Sequence, residues 1–343
     1  MVIEISIGEA LKTDLPIIDV RSPGEFMAGH IPNATNVPLF SNEERAHIGT
    51  VYKQVSQEAA IKLGYTYVDP KLTFFIEKSK ELAPNQYVVV HCWRGGMRSH
   101  AFAQHLSDNG FEKVYVITGG YKAYRNFMLN TLSTPFKLIL LGGYTGSGKT
   151  HILKQLKNNG HQVVDLEALA NHKGSAFGSI GEVAQPTVEQ FQNNLLDEWL
   201  KLDFSKPIWV EDESLSIGKV TIPMPLFSQM RSSKLIFIDI PKEERAKHLV
   251  SEYTRCTNQL LADAIMRIGK RLGGQHVAEA LKQLELDNYY EVAMIALNYY
   301  DKSYQKGLNH RTGGEIETIT LNNTDHSKNA TIIIKHIEEN GID

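Results

Sequence analysis

Two short stretches of this 343-residue chain carry residue types whose spacing can do chemistry. The first is His91-Cys92-Trp93-Arg94-Gly95-Gly96-Met97-Arg98-Ser99. A cysteine followed within six residues by two glycines and two arginines has what a thiolate needs: inward backbone amides, guanidinium charge and, where a helix follows, the positive end of its dipole. The same groups make an anion pocket, so Cys92 in that setting can take a chalcogen or a phosphoryl group from an anionic donor. The second stretch, Gly143-Tyr144-Thr145-Gly146-Ser147-Gly148-Lys149-Thr150, fits G-x-x-x-x-G-K-[ST]. Its glycines let consecutive N–H groups turn inward around phosphate oxygens, Lys149 adds a full positive charge and Thr150 can ligate Mg²⁺. Such a cradle recognises a di- or triphosphate rather than a base, and a nucleotide is only one candidate.

Both loops must be carried from a strand into a helix. Residues 87–90 are β-rich and 100–106 helix-like around the first loop; residues 137–141 and 151–156 do the same for the second. Further β-rich runs at 16–20 and 113–117, and then at 162–165, 207–210, 234–238 and 317–321, alternate with amphipathic stretches. That rhythm predicts parallel sheets with crossover helices, an α/β fold in both halves, with residues 243–300 as a helical insertion in the second. The polar, proline-containing break at 132–136 divides the chain into domains 1–132 and 133–343.

Around these loops stand secondary candidates. Asp165 and Asp212, at strand ends, are the favoured carboxylates for a metal or for assisting the substrate, chosen from a set that includes Glu167, Glu211 and Glu213. Arg267, Lys270 and Arg271 share one helix face at i, i+3 and i+4, as a phosphate lid or a contact to a nucleic-acid backbone requires. Trp93 and Tyr144 could stack on a base or line a groove, and His172, Lys173 and Ser175 lie in a glycine-rich stretch within reach of phosphate. Thirteen histidines show no zinc-finger spacing, so no structural metal is expected, only Mg²⁺ at Thr150, and no tightly bound cofactor.

Composition restricts the setting. A hydrophobic content of 42% with 22% charged residues is that of a folded protein, and the net charge of −3 leaves any polyanion partner to a local basic patch. Two cysteines build no disulfide framework, which leaves Cys92 for chemistry. The first residues lack a signal peptide's basic flank and apolar stretch, and no run approaches a membrane span. A cytoplasmic protein with no membrane partner is expected.

The run from Ile18 to Leu39, with Asp19-Val20-Arg21-Ser22-Pro23-Gly24-Glu25-Phe26, resembles the opening of a rhodanese domain, and Gly119-Gly120-Tyr121 its end. The resemblance implies structural roles for Asp19 and Arg21. The loop from Cys92 to Arg98 is C-x5-R, longer at this point than the usual rhodanese loop and similar to that of the cell-cycle dual-specificity phosphatases, which suits a phosphate-bearing donor. A rhodanese-like domain with this loop, joined to a P-loop NTPase-like domain, resembles the bacterial tRNA 2-selenouridine synthases over nearly the whole chain. Residues 165–178, 210–214 and 268–274 extend the match. The resemblance implies a tRNA-modifying transferase that replaces the sulfur of a wobble 2-thiouridine in the anticodon loop by selenium, through an S-geranylated base. Geranyl diphosphate would lie in Gly143 to Thr150. Selenophosphate would meet the loop Trp93 to Arg98, and Cys92 would carry selenium as a perselenide. The alternative is a P-loop kinase or ATPase with a regulatory rhodanese sulfurtransferase module.

Overall fold

The computed structural model describes residues 1–309, 311 and 313–341 and divides into two compact units, Met1–Thr131 and Leu132–Asp343. In the first unit five parallel strands, β1 (Val2–Ile5), β2 (Ile17–Asp19), β3 (Thr35–Asn36), β4 (Tyr87–His91) and β5 (Lys113–Ile117), lie in the order β1-β5-β4-β2-β3. Val88, Val89 and Val90 are all fully buried, the unbroken apolar run of a central parallel strand covered on both faces. Register sets Asp19 of β2 beside His91 of β4 and Asn36 of β3, so the polar ends of three strands meet at one edge. The Ser22-Pro23-Gly24-Glu25 run is a helix start: Ser22 and Glu25 form a capping box on helix Pro23–Ala28, with proline in its first turn.

The second unit repeats the plan with β6 (Leu138–Gly143), β7 (Gln162–Val164), β8 (Ile208–Glu211), a small antiparallel hairpin of β9 (Ser216–Ile217) and β10 (Val220–Thr221), then β11 (Lys234–Asp239) and β12 (Ile316–Thr320). The five long strands are parallel, in the order β12-β11-β6-β8-β7. After β6 the chain goes to one side of the sheet, and after β8 it crosses to the other. The carboxyl end of β6 therefore lies where open α/β sheets form their ligand crevice. Every residue of β6 is buried.

Between β11 and β12 four helices, Lys242–Tyr253, Asn258–Leu272, Gly274–Glu285 and Tyr289–Asn309, build a separate apolar core around Leu261, Ile265, Ile268, Leu284 and Val292. Each such side chain contributes about 1.5–3 kcal/mol when fully buried, which lets the insertion hold its own shape. Thr257 caps helix Asn258–Leu272 at its start, and Gly273, at φ +94°, ends it. Among the described residues no helix is long and apolar enough to cross a membrane.

Candidate active sites

In the first unit the chain leaves β4 at Cys92 and turns into helix Met97–Asp108, whose first-turn amides face the loop. The turn is held against the Gly119-Gly120 bend by hydrogen bonds from Tyr121 N to Cys92 O and from Lys122 N to Trp93 O, both 2.9 Å. Gly95 has φ +61°, and a Cβ there would collide with the Ile117 carbonyl oxygen and come within 2.8 Å of Gly119 N. Gly120 closes on the loop from the other side, where a Cβ would strike Cys92 O and Gly95 N. Two backbones packed this closely fix the direction in which the loop amides point.

Cys92 is 3% exposed, and its Sγ lies 3.3 Å from Ser99 Oγ. Burial raises the thiol pKa, but the Ser99 hydrogen bond, the Arg98 charge and the backbone N–H groups of Arg94 and Ser99 outweigh it, and the net shift is downward. Arg98 is held by Glu25 Oε2 at 3.1 Å, which fixes its guanidinium beside the loop. Arg94 contributes its N–H while its side chain is exposed, as is that of Met97. Trp93 is half-buried against Tyr121, with ring centroids 5.6 Å apart. Beneath the loop the fully buried Arg21 pairs with Asp19 at 2.6 Å, donates to Gly29 O and stacks 3.9 Å over the Tyr121 ring. The pair ties β2 to the loop's support and touches no open surface.

In the second unit β6 delivers the P-loop into helix Lys149–Asn158, with Gly148 at φ +71° as its N-cap. Lys149 Nζ donates to Gly143 O at 3.2 Å and lies 3.4 Å from Glu211 Oε1. Burial works against its charge, but Glu211, Glu167 and Glu213 overcome this and raise its pKa, so the ammonium is secure. Thr150 Oγ1 donates to Glu167 Oε2 at 3.0 Å. Tyr144 packs edge-on against Phe237 and Tyr304, under the Arg245 guanidinium, and serves packing rather than a groove. Ser147 is buried.

The two aspartates chosen from sequence have other occupations. Asp165 is the N-cap of helix Leu166–Ala170 and accepts from Ala168 N at 2.9 Å. Asp212 is claimed by Arg311 at 3.1 Å, Arg231 at 3.2 Å and the Tyr304 hydroxyl at 2.9 Å, and Tyr304 in turn accepts from Gly143 N. The carboxylates that converge on Lys149 and Thr150 are Glu167, Glu211 and Glu213, with oxygens within 4.8 Å of one another. Burial first, and then mutual repulsion, pushes the pKa of Glu167 and Glu213 upward; Glu211 is raised by burial despite its lysine. Three acids with one cation beside a phosphate loop form an oxygen-donor set that fits Mg²⁺. The helix-capping signal of Asp165 was present in the sequence, as an Asp directly before an apolar helical run. Nothing local marked Arg231, Tyr304 or Arg311 as partners of Asp212.

One cavity of about 1030 Å³ joins these groups. Its lining includes the P-loop, the three glutamates, Lys173 and Ser175, together with Leu249, Tyr253, Leu261 and Ile268 of the insertion and Phe177 and Ile180 from the loop after β7. Arg267, Lys270 and Arg271 line the same space, with Arg267 3.3 Å from Ser179 Oγ and Arg271 3.4 Å from the Tyr299 hydroxyl. His172 is outside the lining.

A buttressed thiolate loop on one parallel sheet and a phosphate loop on a second define a rhodanese-like and P-loop fusion enzyme. Residues 7–127 match the rhodanese-like domain, and residues 136–324 match the tRNA 2-selenouridine synthase AAA domain. The tRNA 2-selenouridine synthase of Nitrosomonas europaea is 36% identical, over 87% of this chain and 90% of that protein. The synthase of Bdellovibrio bacteriovorus is 36% identical over 88% and 90%, and that of Sulfurovum sp. 35% over 84% and 87%. The chain belongs to the tRNA 2-selenouridine synthase family.

Proposed function

We propose that the chain converts a wobble 2-thiouridine of tRNA into 2-selenouridine in the cytoplasm, using geranyl diphosphate and then selenophosphate. The observation that supports the first step is the shared lining of one cavity: the P-loop and Lys149 stand in the same space as Leu249, Phe177, Ile180 and Ile268, which suits a diphosphate bearing a hydrocarbon tail. The loop amides and Lys149 take the diphosphate, and the insertion side chains take the prenyl chain and exclude water. The thiouridine sulfur attacks the allylic carbon, and the C–O electron pair leaves with diphosphate, where Lys149 meets the developing charge. Mg²⁺ held by Thr150 and the glutamates would neutralise further negative charge on the leaving group.

The oxidation level of selenium changes the part expected of Cys92. Selenium in selenophosphate is already at the selenide level, so a perselenide on Cys92 would force phosphorus to leave as phosphite. With phosphate as the product, selenium attacks carbon 2 and geranylthiolate departs with the C–S pair. The Cys92 thiolate then attacks phosphorus, selenium keeps the Se–P electron pair, and water frees phosphate from the cysteine. The C-x5-R length of the loop, its amides and Arg98 support a phosphoryl acceptor.

Mass spectrometry of tRNA nucleosides, with ³¹P NMR of the co-product, tests this. Wild type should yield 2-selenouridine and phosphate. Lys149→Ala should make no geranylated base, and Cys92→Ser should make it but stop short of 2-selenouridine. A tRNA left unchanged by wild type would sink the reading, and nucleotide hydrolysis that survives Cys92→Ser would favour a P-loop ATPase in its place.

A further inference from the structure

Three histidines from three separate helices converge beside the P-loop. His151 stands two residues beyond Lys149 in helix Lys149–Asn158, His248 lies within helix Lys242–Tyr253, and His326 opens helix His326–Asn340. Ring centroids are 4.6 Å apart for His151 and His326, 5.1 Å for His248 and His326, and 5.8 Å for His151 and His248. One ring nitrogen from each lies within 4.8 Å of the other two. His326 Nδ1 is buried and has no hydrogen-bond partner among the described residues. Buried polar nitrogens are ordinarily satisfied, and here a ring with an unpaired nitrogen stands within reach of two further imidazoles.

We propose that His151, His248 and His326 bind a divalent transition-metal ion of the zinc class, at a site separate from the magnesium-type carboxylate set. Imidazole suits such ions, and tetrahedral zinc places its nitrogens about 3.4 Å apart, so the pairs need to close by at most about 1.4 Å, within reach of side-chain rotation. His151 is exposed, which leaves a coordination position for water. Glu252 acts electrostatically on both His248 and His326 and offers a carboxylate nearby. Burial first, then the neighbouring histidines, holds His326 down to about 4, and burial likewise lowers His248, which favours the neutral form of these two rings.

The site also braces the phosphate loop. Gly148 packs directly on the His326 ring; a Cβ there would collide with its Cε1 and lie 2.7 Å from its Nδ1. A metal on His326 pins that ring against the loop and ties together three helices that sequence separates by up to 175 positions.

The test uses untagged full-length protein, stripped with chelator and kept in excess Mg²⁺ to occupy the carboxylates. Zn²⁺ is titrated calorimetrically, and Co²⁺ is followed by its visible absorption. Wild type and Cys92→Ser should each bind one equivalent, with a rise in melting temperature. A His151→Gln/His248→Gln double variant, which leaves the Gly148 packing on His326 in place, should lose the Co²⁺ spectrum and bind Zn²⁺ roughly 100-fold more weakly. Single His151→Gln and His248→Gln variants, each weakened by about tenfold or more, carry the test if the double variant does not fold. Equal binding by wild type and the histidine variants, or no saturable binding by wild type, overturns the proposal.

Discussion

Gly95 and Gly96 are neighbours in the same loop, yet an alanine at each should have very unequal consequences. Gly95 sits at φ +61°, where a side chain costs about 1–2 kcal/mol, and its Cβ would drive into the Ile117 carbonyl and the Gly119 amide. Overpacking of a close backbone approach costs about 1–3 kcal/mol more. Gly95→Ala should therefore destabilise the first unit by roughly 2–5 kcal/mol, or on the order of 10 °C in melting temperature. Gly96 has φ −100°, and a Cβ there meets nothing within 4 Å, so Gly96→Ala should stay within about 0.5 kcal/mol of wild type. Urea unfolding monitored by fluorescence in a Trp199→Phe/Trp209→Phe background, where Trp93 alone reports, with the alkylation rate of Cys92 as a second readout, separates the two. The alkylation profile of Gly95→Ala should shift to higher pH as its amides turn away from sulfur. If both variants unfold at the same urea concentration, the backbone-on-backbone account of the loop is wrong.

Two further expectations concern the second unit. The raised carboxyl groups of Glu167 and Glu213 bind protons in the folded state that they would release when unfolded. Without divalent cation the unit should therefore lose stability as pH rises from the ordinary carboxyl value near 4.5 into the alkaline range. Mg²⁺ or Glu213→Gln should flatten that slope in pH-dependent melting curves, and a slope of the opposite sign would refute the cluster's charge balance. Asp212→Ala leaves Arg311 and Arg231 without their shared carboxylate and should cost about 3–5 kcal/mol by urea unfolding. The midpoint Mg²⁺ concentration for the first product should be unchanged in that variant, whereas Glu167→Gln should raise it.

What the sequence determined by itself was whatever is local and contiguous. Each anion loop is a strand, a glycine turn and a helix in unbroken succession, so the run from Val88 to His100 and that from Leu138 to Leu153 announced their own geometry. The apolar runs of β4, β5, β6 and β11 were legible for the same reason, because central parallel strands are covered on both faces. The short edge strands β1 and β3 and the β9-β10 hairpin left no such pattern; they are strands only because a neighbour supplies the other half of the ladder.

Tertiary structure alone decided which side chains share a site. Asp165 and Glu167 lie two residues apart, yet one caps a helix and the other reaches Thr150, since direction from a strand end depends on the turn that follows. Asp212 and Glu213 are adjacent and part company because arginines and a tyrosine up to 99 residues away claim one of them. Gly95 and Gly96 read alike until Gly119-Gly120 is folded against the first. His151, His248 and His326 show the same limit: sequence spacing records the distance along the chain, whereas a metal responds only to distance through space.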